Sequence, residues 1–151
     1  MATVPPQGLL SSSLALAFSN PRLFADVNSM MNHSRVSLDA LQSVLFAGPV
    51  EVEQLRACYR RMQPESQRAM WDMTLINLPH LRRGRCPPML VLGAECDILV
   101  PASQAEQAAS YYGTEAEIFP DMGHLMMLET HWQKVADRII EWLKAGGLDR
   151  A

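Results

Sequence analysis

Two short apolar runs interrupt a pattern that is otherwise helical. Residues 89–92, Met-Leu-Val-Leu, lead through Gly93 to Asp97, and residues 116–119, Ala-Glu-Ile-Phe, lead through Pro120 and Gly123 to His124. Apolar runs of this length bounded by Gly and Pro predict β-strands. Between them, Pro101 suits the first turn of a helix. Ala105, Ala108, Ala109 and Tyr112 recur at i, i+3, i+4 and i+7 as its buried face, and Gly113 suits its end. Strand, helix and strand at this spacing predict a βαβ crossover with parallel strands. A last helix follows, with Trp132, Val135, Ala136, Ile139, Ile140 and Leu143 expected inside and Gly146-Gly147 stopping it.

The preceding region carries a different pattern. Residues 9–18, LLSSSLALAF, predict the first turns of a helix inside the protein. Asn20-Pro21 fits a cap and first helical position, with Leu23, Phe24, Val27, Met30 and Met31 following at helical spacing. Ser37 caps a segment carrying Leu38, Leu41, Val44 and Leu45, which Gly48-Pro49 breaks. Val52, Leu55, Cys58, Tyr59 and Met62 form the next stripe. Pro64 is expected to open another helix, with Met70, Met73, Leu75 and Ile76 near its buried side. Residues 80–88, HLRRGRCPP, read as a linker, with Arg82, Arg83 and Arg85 on a solvated hinge and Pro87-Pro88 forcing an extended entry to the first strand. The chain therefore divides into a strand-like tail and turn over residues 1–8, a helical cluster over residues 9–79, and an α/β segment over residues 80–151.

Composition narrows the possibilities. At 151 residues, 48% hydrophobic and 19% charged, the chain has the balance of one ordinary globular domain. A net charge of −3 supplies no electrostatic footprint for nucleic acid. The apolar run at residues 9–18 has no Lys or Arg before it, the first charge being Arg22, so it lacks the basic region of a secretory leader. It is also too short and too rich in serine to span a bilayer. Cys58, Cys86 and Cys96 show no C-x-x-C spacing and read as free thiols of a reducing, cytoplasmic compartment. No H-E-x-x-H or H-x-H occurs, so no metal site is expected, and His33, His80 and His131 read as surface or capping residues.

The chemistry lies after the two strands. In open parallel sheets, ligands bind beyond the carboxyl ends of the strands. Asp97 and His124 each follow a strand end, which predicts that they share one sheet edge. A carboxylate there can hold an imidazole in one tautomer, and the imidazole can act as a general base. Glu95 is a second nearby carboxylate. GAECDILVP resembles the acid-bearing loop of α/β-hydrolases, and FPDMGHLMMLE resembles their histidine loop, in which the histidine follows Gly and precedes an apolar run ending in Glu. The superfamily's chain order, nucleophile, acid and then histidine, agrees with Asp97 before His124.

The resemblance implies an α/β fold: the last parallel strands of an α/β-hydrolase with flanking helices, preceded by residues 9–79 as a cap or lid, with residues 1–8 as the end of a core strand. It implies a small apolar ester-like substrate and no organic cofactor. Met126 and Met127, the candidate substrate-binding residues, follow the histidine directly, where either can face the pocket or pack on the sheet. The departure is the nucleophile. The glycines stand at 8, 48, 84, 93, 113, 123, 146 and 147, so no G-x-S-x-G elbow exists. Ser11, Ser12 and Ser13 sit in a helical pattern without that context. The expectation is a C-terminal fragment whose nucleophile, Ser or Asp, belongs to a missing N-terminal half. A non-catalytic binding remnant and one half of a split hydrolase are the alternatives.

Overall fold

The computed structural model describes residues 6, 8–32, 36–64, 66–76 and 87–146. Helices α1 (Leu10–Ser19), α2 (Pro21–Met31), α3 (Leu38–Leu45), α4 (Val52–Arg61) and α5 (Gln67–Trp71) come first, and a π-helical turn over Asp72–Ile76 continues α5. The caps follow from side-chain chemistry. Asn20 accepts the amide of Leu23 at 3.1 Å, and Ser37 accepts that of Ala40 at 3.1 Å, each satisfying a donor that the helix itself leaves unpaired. Helix α5 begins at Gln67 and not at Pro64, because the Ser66 hydroxyl takes the amide of Ala69.

The apolar stripes of α2, α3 and α4 converge on Met30, Leu41, Val44, Leu45, Phe46 and Leu55, and Leu41 is fully buried. Helix α1 departs from expectation. None of its residues is buried, and Leu10, Leu14 and Phe18, one stripe at i, i+4 and i+8, face solvent. Its main neighbour is α2.

Strands β1 (Val91–Ala94) and β2 (Ala116–Phe119) pair in parallel, with Val91 opposite Ala116 and Ala94 opposite Phe119. The first strand starts two residues later than the apolar run, because no residue of β2 stands opposite Met89 or Leu90. Helix α6 (Ala102–Tyr112) connects them, and Gly113 ends it in the left-handed conformation at φ 73°. Its Ala105 and Ala109 pack on Val91, Ala116 and Ile118 on one face of the sheet. The approach is close: a Cβ on Gly93 would stand 2.7 Å from Ile118 Cδ1 and 2.8 Å from Ala105 Cβ.

The other face carries Leu92 and Ala94 against Met122, Met126 and Val135, the last from α7 (Trp132–Ala145). Arg138 of α7 forks onto the Glu117 carboxylate of β2, with Nε 2.6 Å from Oε2. Within α7 only Val135 is buried, while Trp132, Ile139, Ile140 and Leu143 are exposed. The expected inward face is thus mostly open. Two strands are about 5 Å apart, whereas α7, with 14 residues, runs about 21 Å. So narrow a sheet covers one short stretch of the helix. No helix among the described residues is long and apolar enough to cross a membrane.

Candidate active site

The loops after β1 and β2 are laced together before any side chain meets. Glu95 N donates to Phe119 O at 3.0 Å, and Cys96 N donates to Met122 O at 2.9 Å. Glu95 Oε2 accepts the amide of Asp121 at 3.3 Å, at a turn where Asp121 takes φ 55°. The Glu95 carboxylate therefore serves the turn, and Asp97 is the carboxylate brought to the histidine.

Asp97 is buried, with its side chain 2% exposed. Its Oδ1 accepts the amides of Leu99 and Val100, each at 2.8 Å, which is the turn that carries the chain into α6. Its Oδ2 lies 3.0 Å from Nδ1 of His124. One oxygen is thus held by the backbone and the other is left for the imidazole. A neutral ring that donates Nδ1–H to this carboxylate carries its lone pair on Nε2, where it can accept a proton. The ring is 26% exposed, so the pair is a buried carboxylate behind a solvent-reachable imidazole.

The histidine loop also rests on the helical region. Leu125 N donates to Leu45 O at 3.0 Å, and Leu99 and Leu125 both pack on the cluster formed by α2, α3 and α4. Glu129 is buried at 7% exposure, and its Oε1 accepts Gly123 N at 2.9 Å and Ala47 N at 2.7 Å. An open cleft of about 440 Å³ lies beside the acid loop, between Ser11, Ser12 and Leu16 of α1 and Ile98, Pro101 and Gln104. Ser12 Oγ donates to Leu9 O at 3.3 Å within its own helix, and no serine of α1 occupies a strand-to-helix elbow.

The model of the Alpha/beta hydrolase family matches residues 2–138. The chain belongs to that family. No curated protein and no solved structure gives a significant match. The two-stranded parallel sheet with helices on both faces is a part of an α/β-hydrolase fold.

The remaining site candidates of this α/β-hydrolase family member are distributed as follows. Met126 is 3% exposed and packs in the core, while Met127 is 52% exposed. His131 precedes α7 as its cap residue, and its carbonyl accepts Lys134 N at 3.0 Å. His33, His80 and Cys86 lie outside the described residues. Cys58 and Cys96 are free thiols. The Cys96 thiol is pushed above its ordinary value, first by desolvation and then by the carboxylates of Glu95, Asp121 and Glu129. Among the described residues no three His, Cys, Asp or Glu side chains cluster as metal ligands. Sequence reasoning missed Glu129 as a structural acceptor. The signal was a single Glu closing the apolar run Leu125-Met126-Met127-Leu128, an unusual place to leave a carboxylate unpaired.

Proposed function

We propose that Asp97 and His124 are the acid and base of a nucleophile–histidine–acid triad that hydrolyses an ester, acyl or related bond. The observation that carries this reading is the 3.0 Å approach of Asp97 Oδ2 to His124 Nδ1, with Oδ1 already committed to two backbone amides. The nucleophile, Ser or Asp, attacks the substrate carbon. Where it is Ser, His124 Nε2 takes its proton and returns it to the leaving group; where it is Asp, His124 activates the water that releases the intermediate. Asp97 orients the ring and stabilises its charged form without taking the proton itself.

In this reading residues 9–79 are the cap over the site, residues 80–151 carry the acid and base, and residues 1–8 lead into the cap. Met127, exposed close to His124 in the chain, is the methionine of its pair left free to meet an apolar substrate. The sequence holds no G-x-S-x-G, so the nucleophile comes from a further segment of the fold, in the same chain or in a second one.

The test uses a chromogenic short-chain ester. The chain alone gives no turnover above the His124→Ala form. Joined to, or mixed with, an α/β-hydrolase N-terminal segment bearing a G-x-S-x-G elbow, it hydrolyses the ester, and His124→Ala lowers that rate by about 10³-fold or more. Turnover that survives His124→Ala overturns the proposal.

A second reading rests on the open apolar face of α7, where Trp132, Ile139, Ile140 and Leu143 meet solvent. There the chain is a docking module, and Asp97 and His124 do no chemistry. A discrete partner that copurifies and binds an Asp97→Asn, His124→Ala double variant equally well supports it.

A further inference from the structure

Glu129 is a buried carboxylate with no cationic partner among the described residues. A carboxylate in that position is costly unless strong donors surround it. Here both donors converge on one oxygen: Gly123 N at 2.9 Å and Ala47 N at 2.7 Å. They come from opposite sides of a seam. Gly123 is the residue before His124, and Ala47 follows the end of α3. The two backbones are flush, since a Cβ on Gly123 would stand 2.7 Å from Ala47 N and from Phe46 C. Leu125 N, on the other side of His124, donates to Leu45 O at 3.0 Å. His124 is therefore bracketed by two backbone anchors, both referred to the end of α3.

We infer that Glu129 is a positioning residue for His124, fixing the histidine loop against residues 45–47 so that the imidazole keeps its bond to Asp97. This rests on the triad reading given above. The carboxylate acts through the backbone and touches neither the ring nor a substrate. Its charge matters because a charged acceptor makes shorter and stronger bonds to amides than a neutral one. A carboxamide in its place keeps an oxygen for the amides and gives up the charge.

The readout is the His124 Nδ1 proton, seen far downfield in the ¹H NMR spectrum when it is bonded to a carboxylate, and its exchange rate with solvent. Glu129→Ala, which removes both amide bonds, raises that rate by about tenfold or more, a scale that a single lost charge-assisted hydrogen bond already reaches. Glu129→Gln falls between it and the wild type, and decides the matter alone if the alanine variant does not fold. Gln54→Ala is the control, because it removes the bond from Gln54 to Leu128 O on the same loop without touching Gly123, and it leaves the rate unchanged. Wild-type exchange in the Glu129 variants, or equal acceleration by Gln54→Ala, overturns the inference and leaves the triad reading standing. A wild-type chain that lacks the resonance overturns both.

Discussion

Gly123 and Ala47 meet backbone to backbone across the seam between the histidine loop and the end of α3. A Cβ added at Gly123 would lie 2.7 Å from the Ala47 nitrogen and 2.8 Å from Phe46 Cα. Neither is the far end of a flexible side chain, so the loop itself must move. Gly123→Ala is expected to cost about 1–3 kcal/mol, the scale of an overpacked core. The check is the urea midpoint, together with loss of protection at the Gly123 and Leu125 amides in hydrogen exchange. An unchanged midpoint would mean that the seam yields freely.

Asp97→Asn separates the two duties of that side chain. The substituted amide keeps an oxygen for Leu99 N and Val100 N, so the turn into α6 persists. It places an N–H donor where Oδ2 faced His124 Nδ1. Nδ1 must then accept, and the proton moves to Nε2, the wrong tautomer for a general base. The ¹⁵N shifts of the His124 ring should report this exchange of tautomers in a variant whose far-ultraviolet circular dichroism is unchanged.

The buried helical cluster and the open face of α7 should respond differently to truncation. Leu41 is fully buried among the side chains of α2, α3 and α4. Leu41→Ala is expected to destabilise by about 2–5 kcal/mol, the transfer cost plus the cavity. Ile140 on α7 is 46% exposed, and Ile140→Ala should stay within about 0.5 kcal/mol. Urea titrations of both variants test the contrast; equal losses would show that α7 is covered in solution.

Cys96 is exposed, but its surroundings disfavour the thiolate form. Desolvation and the nearby Glu95, Asp121 and Glu129 carboxylates all disfavour its thiolate. The nucleophile is the thiolate, so alkylation at mildly alkaline pH should be slower than for a free model thiol and should climb as pH rises past the ordinary cysteine range. Peptide-resolved mass spectrometry after iodoacetamide treatment measures it. Glu95→Gln, by removing a negative charge, should raise the rate at fixed pH.

Gln104 is 7% exposed, and its Oε1 is a buried acceptor without a partner among the described residues. An unmet buried acceptor costs about 1–3 kcal/mol. Gln104→Met keeps length and volume and removes the polar end. It is expected to raise the urea midpoint, by an amount equivalent to about 1 kcal/mol, and a fall would place a partner on that oxygen.

Local chemistry was legible along the chain. The Asn20 and Ser37 caps and the stop at Gly113 follow from short-range rules. They are readable because each depends on donors, acceptors or φ values within a few residues. The shared edge of the sheet was legible for a related reason, since a crossover connection leaves both strand ends pointing the same way.

Burial is where the pattern misled. Leu10, Leu14 and Phe18 on α1, and Ile139, Ile140 and Leu143 on α7, have the spacing of core positions and stand in solvent. Periodicity specifies which side chains share a face, but only packing decides whether anything covers it.

The sequence by itself determined the helices, the two strands and the pair of polar residues beyond them. Tertiary structure alone decided that Glu95 would hold a turn while Asp97 faced His124, and that Glu129 would join residues 82 positions from it in the chain. The reason is physical. Hydrogen bonds between distant segments depend on how loops are brought together by packing, and no spacing rule along a chain encodes that meeting.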